Sequence, residues 1–312
     1  GLYLLASVAL VVSVMRLASK KVLVHDMKCI ETLARVNVLC VDKTGTITEN
    51  TMEVNGEIPM DGYDSQSMAP LKQIISDFAS AMSSDNITMK AMKDYFNKPS
   101  GRKAVSVSPF SSQFKYSGAA FEDGSYVLGA PEFVLREDYD NYREQIEQYS
   151  SEGYRVLVFG IYDGVIDGKA LTGKVTPIGL VFLSNPIRKE APETFKYFEN
   201  QGVEIKVISG DNPVTVSQVA LQAGIANADN YIDASTLTTD EAIEDAVLRY
   251  TVFGRVTPDQ KRKFVRALKK AGRTVAMTGD GVNDVLALKD ADCSVAMASG
   301  SDAAAQASQL VY

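Results

Sequence analysis

The stretch Val38–Asn50, VLCVDKTGTITEN, decides the fold. Val38 to Val41 is an apolar run of strand length, and it breaks at Asp42 into a loop of Asp, Lys, Gly and three threonines. Such residues also populate ordinary solvated turns. The chemical alternative is that Asp42 is a nucleophile at the end of a strand, with a loop behind it that holds a phosphate and a metal ion. Companion loops elsewhere in the chain decide between the two.

The second half supplies them. Val203–Ser209 (VEIKVIS) reads as a strand leading through Asp-Asn-Pro into a helical pattern that Gly224 ends. Tyr250–Val256 leads to TPDQKRKFVRALKKAG, where Thr257 and Gln260 form a capping-box pattern, Pro258 suits the first helical position and Gly272 stops the helix. Arg273–Thr278 leads to GDGVND, a further helical run and then CSVAM. Alternation of this kind predicts an α/β fold with a doubly wound parallel sheet.

The first strand stands apart from these units. Roughly 170 residues separate it from the loop at Ser209, whereas a strand–helix–strand unit needs about 30. The intervening sequence has another pattern: a helical, methionine-containing segment, then alternating strands KAVSVSPF, KYSGAAF and SYVLGA, a helical segment of mixed charge, and YRVLVFGIYDG. Asp-Gly pairs at 123, 163 and 167 punctuate it. We therefore expect an inserted α+β domain with an antiparallel sheet over 52–175, between the two parts of the parallel-sheet domain at 19–51 and 176–312.

Composition narrows the function classes. The 312 residues carry a net charge of −7, with 46% hydrophobic and 23% charged residues, which argues against a nucleic-acid partner and against wholesale disorder. Lys261, Arg262, Lys263, Arg266, Lys269 and Lys270 read as a local basic face of one helix. Cys29, Cys40 and Cys293 show no CxxC spacing and His25 is the one histidine, so neither a disulfide framework nor a Cys/His zinc site is expected. The opening GLYLLASVALVVSVM is uncharged up to Arg16. As a helix it reaches about 22 Å, short of the roughly 30 Å of a bilayer core. Residues 1–18 read as the truncated end of a transmembrane helix, the alternative being a buried helix of a soluble domain.

Three loops share the C-terminal end of a predicted parallel strand, where open α/β sheets place their ligands. They are Asp42-Lys-Thr-Gly-Thr, Ser209-Gly-Asp-Asn-Pro and Thr278-Gly-Asp-Gly-Val-Asn-Asp284. Phosphoryl transfer to a carboxylate needs a nucleophile, a divalent ion and donors for the phosphate oxygens. Asp42 supplies the first, and Asp280 can offer a carboxylate to Mg²⁺ beside it. Ser209 and Gly210 precede a helix start and can hold a phosphate oxygen. Lys261, in the first turn of its helix, can cancel the charge on Asp42.

Asp42-Lys-Thr-Gly-Thr-Ile-Thr, SGDNP, TPDQK and TGDGVNDVLALKDAD resemble the signature segments of P-type cation-transporting ATPases, whose phosphorylation domain is of the haloacid dehalogenase type. The resemblance implies that Asp42 is phosphorylated by ATP with support from Lys43 and Thr44. It implies Mg²⁺ on Asp42, Asp280 and the Thr44 carbonyl, with Ser209, Gly210, Asp211, Lys261, Asn283 and Asp284 completing the site. The insertion is then similar to the nucleotide-binding domain: PFSSQFK gives Phe110 for the adenine and Lys115 near the phosphates, LGAPE gives Gly129 and Ala130, and YRVL gives Arg155. Arg188 in SNPIR is implied as a further nucleotide contact. A glycine at 129 suits close approach of the backbone to a ring.

Departures from the family pattern stand at Leu128, where Lys is usual, Asn185, where Asp is usual, Ser209 in place of Thr, and Met89, where some members carry an acidic adenine contact. The resemblance further implies a pump at the cytoplasmic face of a membrane, completed by actuator and transmembrane domains and a transported cation. Closure of the cytoplasmic domains then brings the γ-phosphate to Asp42. The rival reading is a soluble phosphatase of the same superfamily. Such enzymes generally carry a second Asp two residues after the nucleophile as acid and base; here that place is Thr44, which cannot do that work at neutral pH.

Overall fold

The computed structural model describes residues 4–5, 7–10, 15, 23–26, 28–279, 284–296 and 310–311. Asp280 and Asn283, and most of the apolar opening at 1–18, lie outside the described residues. Among those described, no helix is long and apolar enough to cross a membrane. The chain divides into two units, 1–49 with 187–312, and 50–186.

The first unit carries the quoted strand at the centre of its sheet. Val38–Val41 pairs in parallel with Val275–Gly279 on one side and Glu204–Ile208 on the other. Beyond these lie Cys293–Ala296 and Leu310–Val311 on one flank, Val252–Gly254 and Tyr231–Asp233 on the other. All of these run parallel, and Leu23–Val24 closes one edge antiparallel to Leu310–Val311.

All four residues of the central strand are buried, as a strand covered on both faces requires. Val38 and Cys40 pack with Ile243, Phe264 and Leu288, so the helices Asp240–Arg249, Pro258–Lys270 and Val285–Asp290 cover that face. Leu39 and Val41 pack with Cys29, Phe195 and Val216 from Lys28–Leu33, Ala191–Asn200 and Pro213–Gln222 on the other. This is the doubly wound α/β arrangement expected. The predicted helix caps also form. Thr257 Oγ1 accepts from Gln260 N at 3.2 Å while Gln260 Oε1 accepts from Thr257 N at 3.1 Å, and Gly272 takes a left-handed φ of 85°.

The second unit is a six-stranded antiparallel sheet in the order Glu53–Pro59, Lys174–Ser184, Arg155–Asp163, Gly124–Gly129, Tyr116–Phe121, Ser106–Ser108. Leu71–Ala81 and Ile87–Tyr95 pack on one face through Ile75, Phe78 and Met92, against Phe159 and Val181 of the sheet. Pro131–Leu135 and Arg143–Ser151 pack on the other through Val134 and Ile146, against Val158 and Leu180.

The expected boundary at 175/176 falls inside the strand Lys174–Ser184, which pairs with both Arg155–Asp163 and Glu53–Pro59. The division comes instead at 186/187. A continuous apolar run marks a buried strand without saying which sheet it joins, and only its register with those two partners assigns it.

Candidate active site

Asp42 follows the central strand in extended conformation, and its Oδ1 accepts from its neighbour's N–H, Lys43 N, at 2.8 Å. Behind it Lys43–Ile47 forms one wide turn, closed by Thr48, whose N and Oγ1 both donate to Lys43 O at 3.0 and 3.2 Å. Gly45 sits at φ 83°, a left-handed conformation that a side chain would strain. The returning chain fastens this turn: Arg188 N donates to Ile47 O at 2.9 Å and Arg188 Nη2 to Gly45 O at 2.8 Å.

The neighbouring strand delivers the second loop. Ser209 N bonds Phe253 O at 3.0 Å, and Ser209 Oγ accepts from Asp211 N at 3.2 Å. Asn212 caps Pro213–Gln222 by accepting from Val214 N at 2.9 Å. Asp211 Oδ2 meets Lys43 Nζ at 2.8 Å, so the first and second loops are joined by an ion pair. Among the described residues, a Cβ at Gly210 would meet only Val256 O, at an ordinary 3.6 Å.

Lys261 joins the first loop to the third. Its Nζ lies 2.8 Å from Asp284 Oδ1 and 3.6 Å from Asp42 Oδ2. The capping box and Pro258 start the helix four residues earlier and so aim this lysine inward. Burial opposes its charge. The carboxylates of Asp42 and then Asp284, the latter also hydrogen-bonded to it, outweigh that and hold its pKa above the ordinary lysine value. Gly279 is needed for contact: a Cβ there would come within 2.7 Å of Asp284 Cβ.

The structure thus brings together Asp42, Lys43, Ser209, Asp211, Lys261 and Asp284, with Thr44 in the same turn. Two hydroxyls escaped the sequence reading as separate groups. Thr46 Oγ1 in the turn and Thr278 Oγ1 on the adjacent strand are buried without a hydrogen-bond partner among the described residues. Buried hydroxyls ordinarily have one, so these are donors left over beside the nucleophile. Thr46 was inside the quoted loop, but nothing in its sequence context sets it apart from Thr44 or Thr48.

The donor set fits Mg²⁺. Asp42 and the Thr44 carbonyl offer hard oxygen donors, and no described group of three His, Cys, Asp or Glu forms a full protein cage. Mg²⁺ commonly takes one or two carboxylates and fills its octahedron with water and phosphate oxygens. The cysteines take no part in it. All three are buried, and burial lifts the thiol pKa to about 11 at Cys29 and about 12 at Cys40 and Cys293.

In the inserted unit, Phe110, Gly129 and Arg155 line one cleft of about 160 Å³, together with Met89 and Leu128. Lys115 and Ala130 do not line it, although Ala130 N donates to Lys115 O at 3.1 Å beside it. Arg188 belongs to the other unit, where its guanidinium serves Gly45. The structure adds a further reason for glycine at 129. A Cβ there would lie 2.3 Å from Lys115 O and 2.8 Å from Tyr116 Cβ, so the adjoining strand already fills that space.

The model of the haloacid dehalogenase-like hydrolase family matches residues 36–292. The chain is 44% identical over its whole length to "Calcium-transporting ATPase CtpE" of Mycobacterium bovis, covering 39% of that protein. It is 40% identical, again over its whole length, to "Probable cation-transporting ATPase exp7" of Streptococcus pneumoniae, covering 40% of it. The chain thus spans about two fifths of the length of these relatives. A crystal structure of a zinc-transporting PIB-type ATPase in the E2.Pi state shares the fold, with TM-score 0.67 and 20% identity over 96% of this chain and 42% of that one.

Proposed function

Since the chain belongs to the haloacid dehalogenase-like hydrolase family, we propose that it is the catalytic portion of a P-type cation-transporting ATPase. In this reading it binds Mg-ATP and transfers the γ-phosphoryl group to Asp42. The observation that carries it is the chain of charges Asp284–Lys261–Asp42 beside Lys43–Asp211, drawn from the ends of adjacent strands and from the helix Pro258–Lys270.

A carboxylate oxygen of Asp42 attacks the γ-phosphorus, the bond from that phosphorus to the β,γ-bridging oxygen breaks, and ADP leaves with its electron pair. Lys261 lowers the cost of bringing an anionic nucleophile to an anionic phosphate. Lys43 and Ser209, with the N–H of Gly210, hold the transferred oxygens, and Asp211 orients Lys43. Asp42, the Thr44 carbonyl and Asp280 would hold Mg²⁺, which supplies neutralisation of phosphate charge. Asn283 is assigned to the same loop. Phe110 stacks on the base and Arg155 and Lys115 attend the phosphates. Thr44 cannot act as the acid and base that a phosphatase needs two residues after its nucleophile, which favours a lasting aspartyl phosphate.

The wider reading concerns the longer relatives. The name of the mycobacterial relative supports calcium as the transported cation, and both names support a cation pump, whose catalytic part we place on the cytoplasmic face of a membrane. Actuator and transmembrane domains are then partners of this chain, and the net charge of −7 opposes nucleic acid as another.

The test is a pulse of γ-labelled ATP with Mg²⁺, quenched in acid and treated with hydroxylamine, on wild type beside Asp42→Asn. Acid-stable, hydroxylamine-labile label in wild type alone, surviving a chase with unlabelled ATP, is the expected result. Label lost during the chase with steady phosphate release would instead favour the phosphatase reading. If neither appears, beryllium fluoride must bind with Mg²⁺ in a manner that Asp42→Asn abolishes, or the assignment of Asp42 fails.

A further inference from the structure

The cleft of the inserted unit holds no carboxylate among its described lining residues. Met89, Leu128 and Leu157 give it a buried apolar lining, Phe110 is 44% exposed beside them, and Arg155 is its one charged group. The uncharged polar groups are those of Asn86, Thr88 and Ser117.

Their directions are constrained. Asn86 caps the helix Ile87–Tyr95, its Oδ1 accepting from Met89 N at 2.8 Å. A backbone N–H can only donate, so the amide oxygen must face it and the Nδ2 group is the end left for a ligand. Ser117 Oγ stands 3.5 Å from Leu128 O and turns its proton that way. The hydroxyl of Thr88 rotates to give or to accept.

Purines differ at C6, where adenine carries an amino donor and guanine or hypoxanthine a carbonyl acceptor. A carboxylate in the lining would reject the carbonyl by setting acceptor against acceptor and leaving a desolvated charge unpaired. A fixed donor does not. Asn86 Nδ2 can serve N7, which every purine has, or a 6-carbonyl, while Thr88 adapts to either substituent.

We propose that this cleft accepts purine nucleoside triphosphates with little regard to the C6 substituent, and that Asn86 sets this breadth. The inference rests on the reading of the cleft as the nucleotide site.

Binding of ATP, ITP, GTP and CTP to the whole chain with Mg²⁺ tests it by calorimetry. The three purines should bind within about threefold of one another, with CTP at least about tenfold weaker. Asn86→Asp keeps the helix cap, since Asp caps as well as Asn. It exchanges the donor for an acceptor and should make ATP preferred over ITP by about tenfold. Circular dichroism of the variant confirms that the fold is retained, and Thr88→Val should narrow the purine range without touching the cap. Wild type that prefers ATP over ITP by more than about tenfold, or equal binding of CTP, overturns the proposal while leaving nucleotide binding in place. An unchanged ATP to ITP ratio in folded Asn86→Asp also overturns it. Failure of every nucleotide to bind overturns the nucleotide-site reading itself, and this one with it.

Discussion

Lys261 Nζ lies 2.8 Å from Asp284 Oδ1, and the two side chains are only 8% and 2% exposed. A sealed ion pair of this kind is costly to break from one side, because the remaining charge stays buried. Typical losses are about 3–5 kcal/mol, whereas replacing both partners by apolar groups is often neutral. Lys261→Met should therefore destabilise the parallel-sheet unit by about that amount, and Lys261→Met with Asp284→Leu should recover most of it. Urea unfolding followed by circular dichroism checks this, since the chain has no tryptophan to report. Equal losses in the single and double variants would mean that packing, not the pair, carries the stability.

The same lysine fixes a pH window. Burial pulls its pKa down, but Asp42 and Asp284 pull harder, and the folded value lies above the unfolded one. The pair's contribution is then fully present below the unfolded lysine pKa of about 10.4, and is lost only as pH rises through the higher folded value. The stability gap between wild type and Lys261→Met should stay constant from pH 7 to about 10 and narrow above that. A gap already closing at pH 8 would show that burial outweighs the carboxylates.

Two glycines near the nucleophile make opposite predictions. At Gly279 an added Cβ would press within 2.7 Å of Asp284 Cβ and 2.9 Å of its Cγ, a side chain held in place by its ion pair with Lys261. Gly279→Ala should cost about 1–3 kcal/mol and weaken labelling of Asp42 by moving Asp284. Gly210→Ala meets, among the described residues, only Val256 O at 3.6 Å and should leave unfolding stability within about 0.5 kcal/mol of wild type. Thermal unfolding of the two variants side by side checks this, and equal melting temperatures would count against the contact at 279.

How legible the fold was in the sequence follows from which signals are local. The middle of the parallel sheet could be read because its strands end in loops with their own punctuation, from Asp42-Lys-Thr-Gly to Asn212-Pro213 and Thr257-Pro258, whereas the short strands Leu23–Val24, Tyr231–Asp233 and Leu310–Val311 carry no such signal and were not read. The capping box at Thr257 even set the inward aim of Lys261. The end of the insertion could not be read, because Lys174–Ser184 is assigned by pairing partners far away in sequence. Gly129 shows the same limit. Its smallness was legible, and so was the strand KYSGAAF, but not the pairing that sets Tyr116 against it. Arg188 was read through its motif as a nucleotide contact, while its backbone and guanidinium both serve the Asp42 turn.

That last difference can be measured. Arg188 Nη2 donates to Gly45 O at 2.8 Å, and Gly45 is the residue whose left-handed φ of 83° shapes the turn behind the nucleophile. A hydrogen bond from a charged donor is worth about 1.5–3 kcal/mol, or roughly 10–100-fold in an equilibrium or a rate. Arg188→Lys keeps the charge but loses the planar fork that reaches this carbonyl. If Arg188 positions the turn, the variant should label Asp42 at least about tenfold more slowly while its affinity for ATP changes by less than about twofold. If Arg188 instead contacts nucleotide, affinity should fall and the labelling rate at saturating ATP should hold. Measuring the dissociation constant by calorimetry and the single-turnover labelling rate on the same preparation separates the two, and a fall in affinity alone would return Arg188 to the role its motif suggested.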